Sequence, residues 1–194
     1  MIKKFLQTNI YCRRLIYRIG KLRAQKIINS IENILVKNCS IIDIGAGACN
    51  VCEILLSENH KVIPLDIKDL SFTDSVKPII YDGATIPFND NEFDIALLLT
   101  VLHHTQKPEE IIKEAKRVAT KIIIIEDLFT NNSDKKFIQA FDSILNLEFI
   151  NHPHTNKNDS EWREIFKEFG LRIIDAKYGR SFFGIKQAIY FVGK

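Results

Sequence analysis

The sequence predicts a doubly wound α/β fold, a mostly parallel sheet with helices on both faces and an antiparallel last strand. Three observations predict it. Apolar runs at 40–44, 62–66, 79–81, 93–99 and 121–126 are mostly unbroken rather than alternating, as expected of parallel strands covered on both sides. Helical stretches lie between several of them, the alternation that builds βαβ units. The last two runs, 171–178 and 187–192, are joined only by residues 179–186, a hairpin-length link that makes them antiparallel.

Each element has its own signal. Leu15, Ile19, Leu22, Ile27, Ile31 and Ile34 recur at helical spacing, so residues 8–36 read as one or two amphipathic helices. Residues 49–59 follow a glycine turn as a helix, and residues 108–119 begin with Pro108 at a first helical position. The link 82–92 is too short for a crossover helix, which leaves a reduced element or a loop. Residues 135–147 read as helix and 151–158 as a polar loop holding His152 and His154. Ser160 is placed to cap a helix over 161–169, and Gly170 to end it.

Composition narrows the class. At 194 residues the chain suits one domain with a sizeable core. No stretch is long and apolar enough to span a membrane, and the N-terminus shows no secretory signal. Cys12, Cys39, Cys49 and Cys52 lack paired zinc spacing. Cys49 and Cys52 form a C-x-x-C in the first helical turn after the glycines, where small residues pack a helix against a sheet. A reduced, cytoplasmic setting and no metal are expected. Residues 1–37 carry nine basic residues against Glu32 alone, in a chain whose net charge is +3. A basic N-terminal arm therefore sits on a mildly acidic body, suited to anionic lipid, nucleic acid or an acidic partner, or simply to solvent.

The residues that carry chemistry cluster at strand ends. Asp43-Ile44-Gly45-Ala46-Gly47 reads as a strand breaking into a tight turn, where glycines let a ligand approach the main chain. Asp66, with Ile67 beside it, ends the second strand, where a carboxylate can accept both ribose hydroxyls. Asp82-Gly83 follows the third, where a carboxylate and an N–H can meet an adenine edge. Asp43 can orient the turn or pair with an ammonium. Ligands bind at this carboxyl edge in open α/β sheets.

Asp-Ile-Gly-Ala-Gly, Pro-Leu-Asp66, Asp82-Gly83-Ala-Thr-Ile-Pro-Phe and Leu-Thr-Val-Leu-His103-His104 closely resemble class I S-adenosylmethionine-dependent methyltransferases of the small-molecule type. The resemblance is strong over 39–130 and looser beyond. It implies a Rossmann-like, seven-stranded sheet over 39–194, with residues 1–38 as a basic helical lid. It places Gly45, Ala46, Gly47 and Thr100 along the methionine part of the cofactor, Asp43 near its ammonium, Asp66 at the ribose, and Asp82 and Gly83 at the adenine, with Ile67 a further cofactor-binding residue. Phe88 lies on a loop that would cover the pocket. Cys49 departs from the family's usual small residue, commonly glycine. A dinucleotide is disfavoured because Asn50 stands where its fingerprint requires a third glycine.

Methyl transfer from a sulfonium needs alignment and exclusion of water, and a base only for a protonated acceptor. The candidate bases are His104 first, then His103 and Asp127, with His152 and His154 behind them. Each histidine also has an ordinary reading as a helix cap or surface residue. Strand 4 ends in Thr100-Val101-Leu102-His103 rather than Asn/Asp-Pro-Pro-aromatic. That argues against planar amino groups of bases or glutamine and favours a small-molecule or lipid-like acceptor. Nucleic acid is the less favoured partner, and residues 1–37 are suited to peripheral membrane contact. A modifier of RNA or protein, or a non-catalytic cofactor-binding protein, is the alternative.

Overall fold

The computed structural model describes residues 8–129 and 155–194. Predicted helix 135–147, His152 and His154 lie outside them. The chain divides into two compact units, one ending at Pro87 and the other beginning at Phe88.

In the first unit, α1 (Ile10–Ile31) is one uninterrupted helix that stops short of the predicted limit at 36. Asn9 caps it, its side chain accepting from Tyr11 N and Cys12 N at 3.1 Å. Its inner face buries Ala24, Ile28 and Ile31. A Cβ at Gly20 would come within 2.4 Å of Asn50 Oδ1, so the glycine admits the start of α2 (Asn50–Ser57) against α1. Strands β1 (Ser40–Ile44), β2 (Lys61–Asp66) and β3 (Ile79–Ile80) are parallel. Ile41 faces Val62 and Ile44 faces Leu65, while β3 pairs only through Ile79 and Ile80.

In the second unit, β4 (Phe93–Leu99) runs parallel to β5 (Ala119–Asp127), with Leu99 opposite Ile125. The helix α3 (Pro108–Val118) connects them. It places Pro108 at its start, Glu109 and Glu110 in its first turn and Lys116 and Arg117 in its last, matching the helix dipole. β7 (Lys186–Gly193) is antiparallel both to β5 and to β6 (Arg172–Arg180), so the expected antiparallel last strand is present. The seven strands belong to one mixed sheet, and no helix separates β3 from β4.

One cap is corrected. Helix α4 (Asp159–Glu168) begins after Asn158, not after Ser160. Asn158 accepts from Glu161 N at 3.0 Å while Glu161 accepts from Asn158 N at 2.6 Å, a reciprocal box that Ser160 cannot form because it already lies inside the helix. Gly170, at φ +61°, ends the helix as expected.

Candidate active site

The glycine turn is held by β2. Gly45 N and Ala46 N both donate to Leu65 O, at 2.8 and 3.1 Å. Gly47 N donates to Asp66 Oδ2 at 2.8 Å. Gly45 and Gly47 adopt φ of +80° and +51°, conformations that explain why glycine stands at both places. The backbone turns left-handed again at Cys49, φ +59°. This gives the physical reason for the family's common glycine there: the backbone, and not only the packing, favours a residue without Cβ.

Beneath the turn lies a buried polar cluster. Asp43 is fully enclosed; its Oδ2 accepts from the Cys52 thiol at 3.0 Å, and its Oδ1 has no hydrogen-bond partner. Burial raises the Asp43 carboxyl to about 6; nearby Asp66 pushes the same way, while the Cys52 hydrogen bond and Arg23 oppose it. Burial also pushes the Cys49 thiol up to about 12 and the Cys52 thiol higher still. Both sulfurs are buried thiols rather than thiolates, which supports packing over redox or metal chemistry.

Asp66 is buried at the end of β2 and its Oδ1 also receives Lys68 N at 3.3 Å, so the carboxylate is oriented by two backbone donors. Asp82 Oδ1 accepts from Ala84 N at 2.8 Å and Thr85 N at 2.9 Å, which shapes the loop after β3 and lowers the Asp82 pKa. Gly83, at φ +81°, would bring a Cβ within 3.0 Å of Ile67 Cγ2. Gly83 and the exposed Ile67 are therefore neighbours. Of the α1 tyrosines, Tyr17 donates to Glu53 Oε2 at 2.7 Å, whereas Tyr11 stands in solvent.

The second unit gathers the β4 candidates. Thr100 occupies a left-handed conformation, φ +56°, held by its N–H donating to Ile125 O at 2.7 Å. A β-branched residue there is strained by about 1–3 kcal/mol. The two histidines part ways. His103 is buried, with Nδ1 2.5 Å from Glu126 Oε2, while Glu126 Oε1 accepts from Leu102 N at 2.9 Å. His104 is half-buried, its ring 4.1 Å from that of His103. Asp127 Oδ1 accepts from Gln187 Nε2 at 2.7 Å, so it is engaged with β7. The described part of the polar loop also reaches this turn, Thr155 N donating to His103 O at 3.2 Å. Phe88 packs edge-on against Phe93 at 5.1 Å. Glu126 was not foreseen; its one sequence signal is an acid at the end of an apolar strand.

Comparisons with known proteins agree with this geometry. Residues 42–122 match a family model described as a methyltransferase domain. A segment of 52 residues is 48% identical to an uncharacterised protein of Methanocaldococcus jannaschii, and the match spans a quarter of that relative's length. Magnesium protoporphyrin IX methyltransferase of Synechocystis, solved with bound S-adenosylhomocysteine, shares the fold at TM-score 0.66 and 14% identity, covering all of this chain and 98% of that one. A S-adenosylmethionine-dependent methyltransferase of Methanosarcina mazei shares it at TM-score 0.63 and 19% identity, over 84% of this chain and 96% of the other.

Proposed function

We infer that this chain, whose residues 42–122 match the model of a methyltransferase domain, is a class I methyltransferase that transfers a methyl group from S-adenosylmethionine to a small-molecule or lipid-like acceptor. The observation that carries the cofactor assignment is the orphaned, buried Asp43 Oδ1 beneath a turn whose two glycines are left-handed. An unpaired buried acceptor costs folding energy and suits a ligand ammonium. Asp66, fixed by Gly47 N, retains lone pairs for ribose hydroxyls. Ile67 and Gly83 offer an apolar wall and an open backbone to a planar ring.

When bound, S-adenosylmethionine supplies an electrophilic methyl group. The chain's own residues then bind, orient and exclude water. Asp43 and Asp66 fix the two polar ends of the ligand, and His104 accepts a proton from an acceptor that arrives protonated. His103 is a positioning residue: Glu126 holds its Nδ1, and the buried pair steadies the turn that carries His104. The small-molecule reading rests on the end of β4, where Thr100-Val101-Leu102-His103 replaces the sequence that grips planar amino groups.

Calorimetry with S-adenosylhomocysteine tests the first half, with micromolar or tighter binding expected and its loss in Asp66→Ala. S-adenosylhomocysteine release from a metabolite extract tests the second. Binding without release from any metabolite or lipid fraction would favour a non-catalytic cofactor-binding protein.

A further inference from the structure

The two faces of α1 do opposite things. One packs inward through Ala24, Ile28 and Ile31. The other is exposed and yet apolar: Tyr11 is 80% exposed, Leu15 60%, Ile19 41% and Leu22 61%. At about 100° per residue these four fall within one quadrant of the helix. Arg14 and Arg18 border that stripe on one side, and Lys26 continues its line one turn beyond Leu22, all three exposed. No Asp or Glu occurs between Thr8 and Ile31. A helix face meant only for water has no use for four large apolar side chains in a row, and these four stand exposed among the described residues.

We propose that this face of α1 lies on an anionic lipid surface, with Tyr11, Leu15, Ile19 and Leu22 entering the headgroup–acyl boundary and Arg14, Arg18 and Lys26 meeting lipid phosphates. The charge pattern selects the occupant. A second copy would set one acid-free basic helix against another, with like charges facing. A nucleic acid would use the cations and leave the aliphatic stripe unexplained. A basic helix with an apolar face is what binds at the interface of a bilayer without crossing it. No helix among the described residues is long and apolar enough to cross a membrane. An enzyme so placed would meet apolar acceptors where they are dissolved, although the lipid contact itself does not depend on the catalytic reading.

The test is co-sedimentation of the full chain with vesicles of phosphatidylcholine alone, or with roughly one-third phosphatidylglycerol. At least tenfold stronger binding to the anionic vesicles is expected, weakening in high salt. Leu15→Ser with Leu22→Ser should reduce it tenfold or more, as should Arg14→Gln with Arg18→Gln. Both pairs lie on the surface, so the fold survives, and S-adenosylhomocysteine affinity serves as the control. The proposal is overturned if wild type ignores anionic vesicles, or if the serine pair binds them as well as wild type. It is equally overturned if RNA binds more tightly than the vesicles, or if ultracentrifugation shows a dimer that the serine pair dissolves.

Discussion

The Cys52 thiol donates to Asp43 Oδ2 at 3.0 Å, and the opposite oxygen of that carboxylate is buried without a partner. Burial lifts the Asp43 pKa from 3.8 to about 6, so the folded state holds this proton more tightly than the unfolded chain. Stability contributed here is complete below the unfolded value and falls as pH rises from about 4 to about 6. Asp43→Asn removes that slope. Urea denaturation at pH 4 and pH 7.5 should show the variant gaining about 2–3 kcal/mol on wild type across the interval. Parallel pH dependences would show that the carboxyl titrates normally.

The same proton opposes the ligand. An ammonium on Asp43 requires the carboxylate, so S-adenosylhomocysteine affinity should fall about tenfold per pH unit below about 6. Asp43→Asn should bind more weakly at neutral pH and lose the dependence. Calorimetry from pH 5 to 8 reads both, and a wild-type affinity flat across that range would detach Asp43 from the ammonium.

What was legible in the sequence, and what was not, divides along distance in the chain. The turns at Gly45, Gly47 and Gly83 announce themselves through local chemistry, because a positive φ favours glycine, and Asp66 at its strand end meets the Gly47 N–H. Glu126 does not, since its partner His103 lies 23 positions earlier and the two meet only because β4 and β5 pair in register. Thr100 resembles any strand-end residue, and its left-handed backbone accompanies a hydrogen bond to the carbonyl of Ile125, 25 positions later in the chain. At the α4 cap both candidate residue types were present, and Glu161 three positions on decided for Asn158.

Glu126 joins two groups that have no access to water, the His103 ring and the Leu102 N–H. Glu126→Ala should cost about 3 kcal/mol or more, because both are left buried and unsatisfied. Glu126→Gln keeps an acceptor and should cost less. The two denaturation midpoints should fall in that order, and equal costs would mean that packing volume, not the acceptor, is what the site needs.

Thr100 stores strain that glycine would release. Thr100→Gly should raise stability by about 1 kcal/mol, the conformational relief exceeding the added freedom of the unfolded chain. A drop in methyl transfer in the same variant would show that the rigid turn positions the groups after it. A destabilised variant would mean that the Thr100 hydroxyl, which donates to Leu99 O at 2.6 Å, outweighs the strain.

His104 and His103 predict different failures, and this is how the base is to be identified. His103 is buried on Glu126, so His103→Ala should act first on stability, like Glu126→Ala. His104 is half-buried, its ring 4.1 Å from that of His103. His104→Ala should leave the denaturation midpoint within about 1 kcal/mol and S-adenosylhomocysteine affinity intact. It should slow transfer by about 10²–10⁴-fold for an acceptor that must lose a proton. In a pH–rate profile the variant should also lose the rise toward neutral pH that a histidine base produces, a signature that mere repacking would not remove. Full activity with cofactor binding unchanged would exclude His104 and leave alignment alone as the protein's contribution.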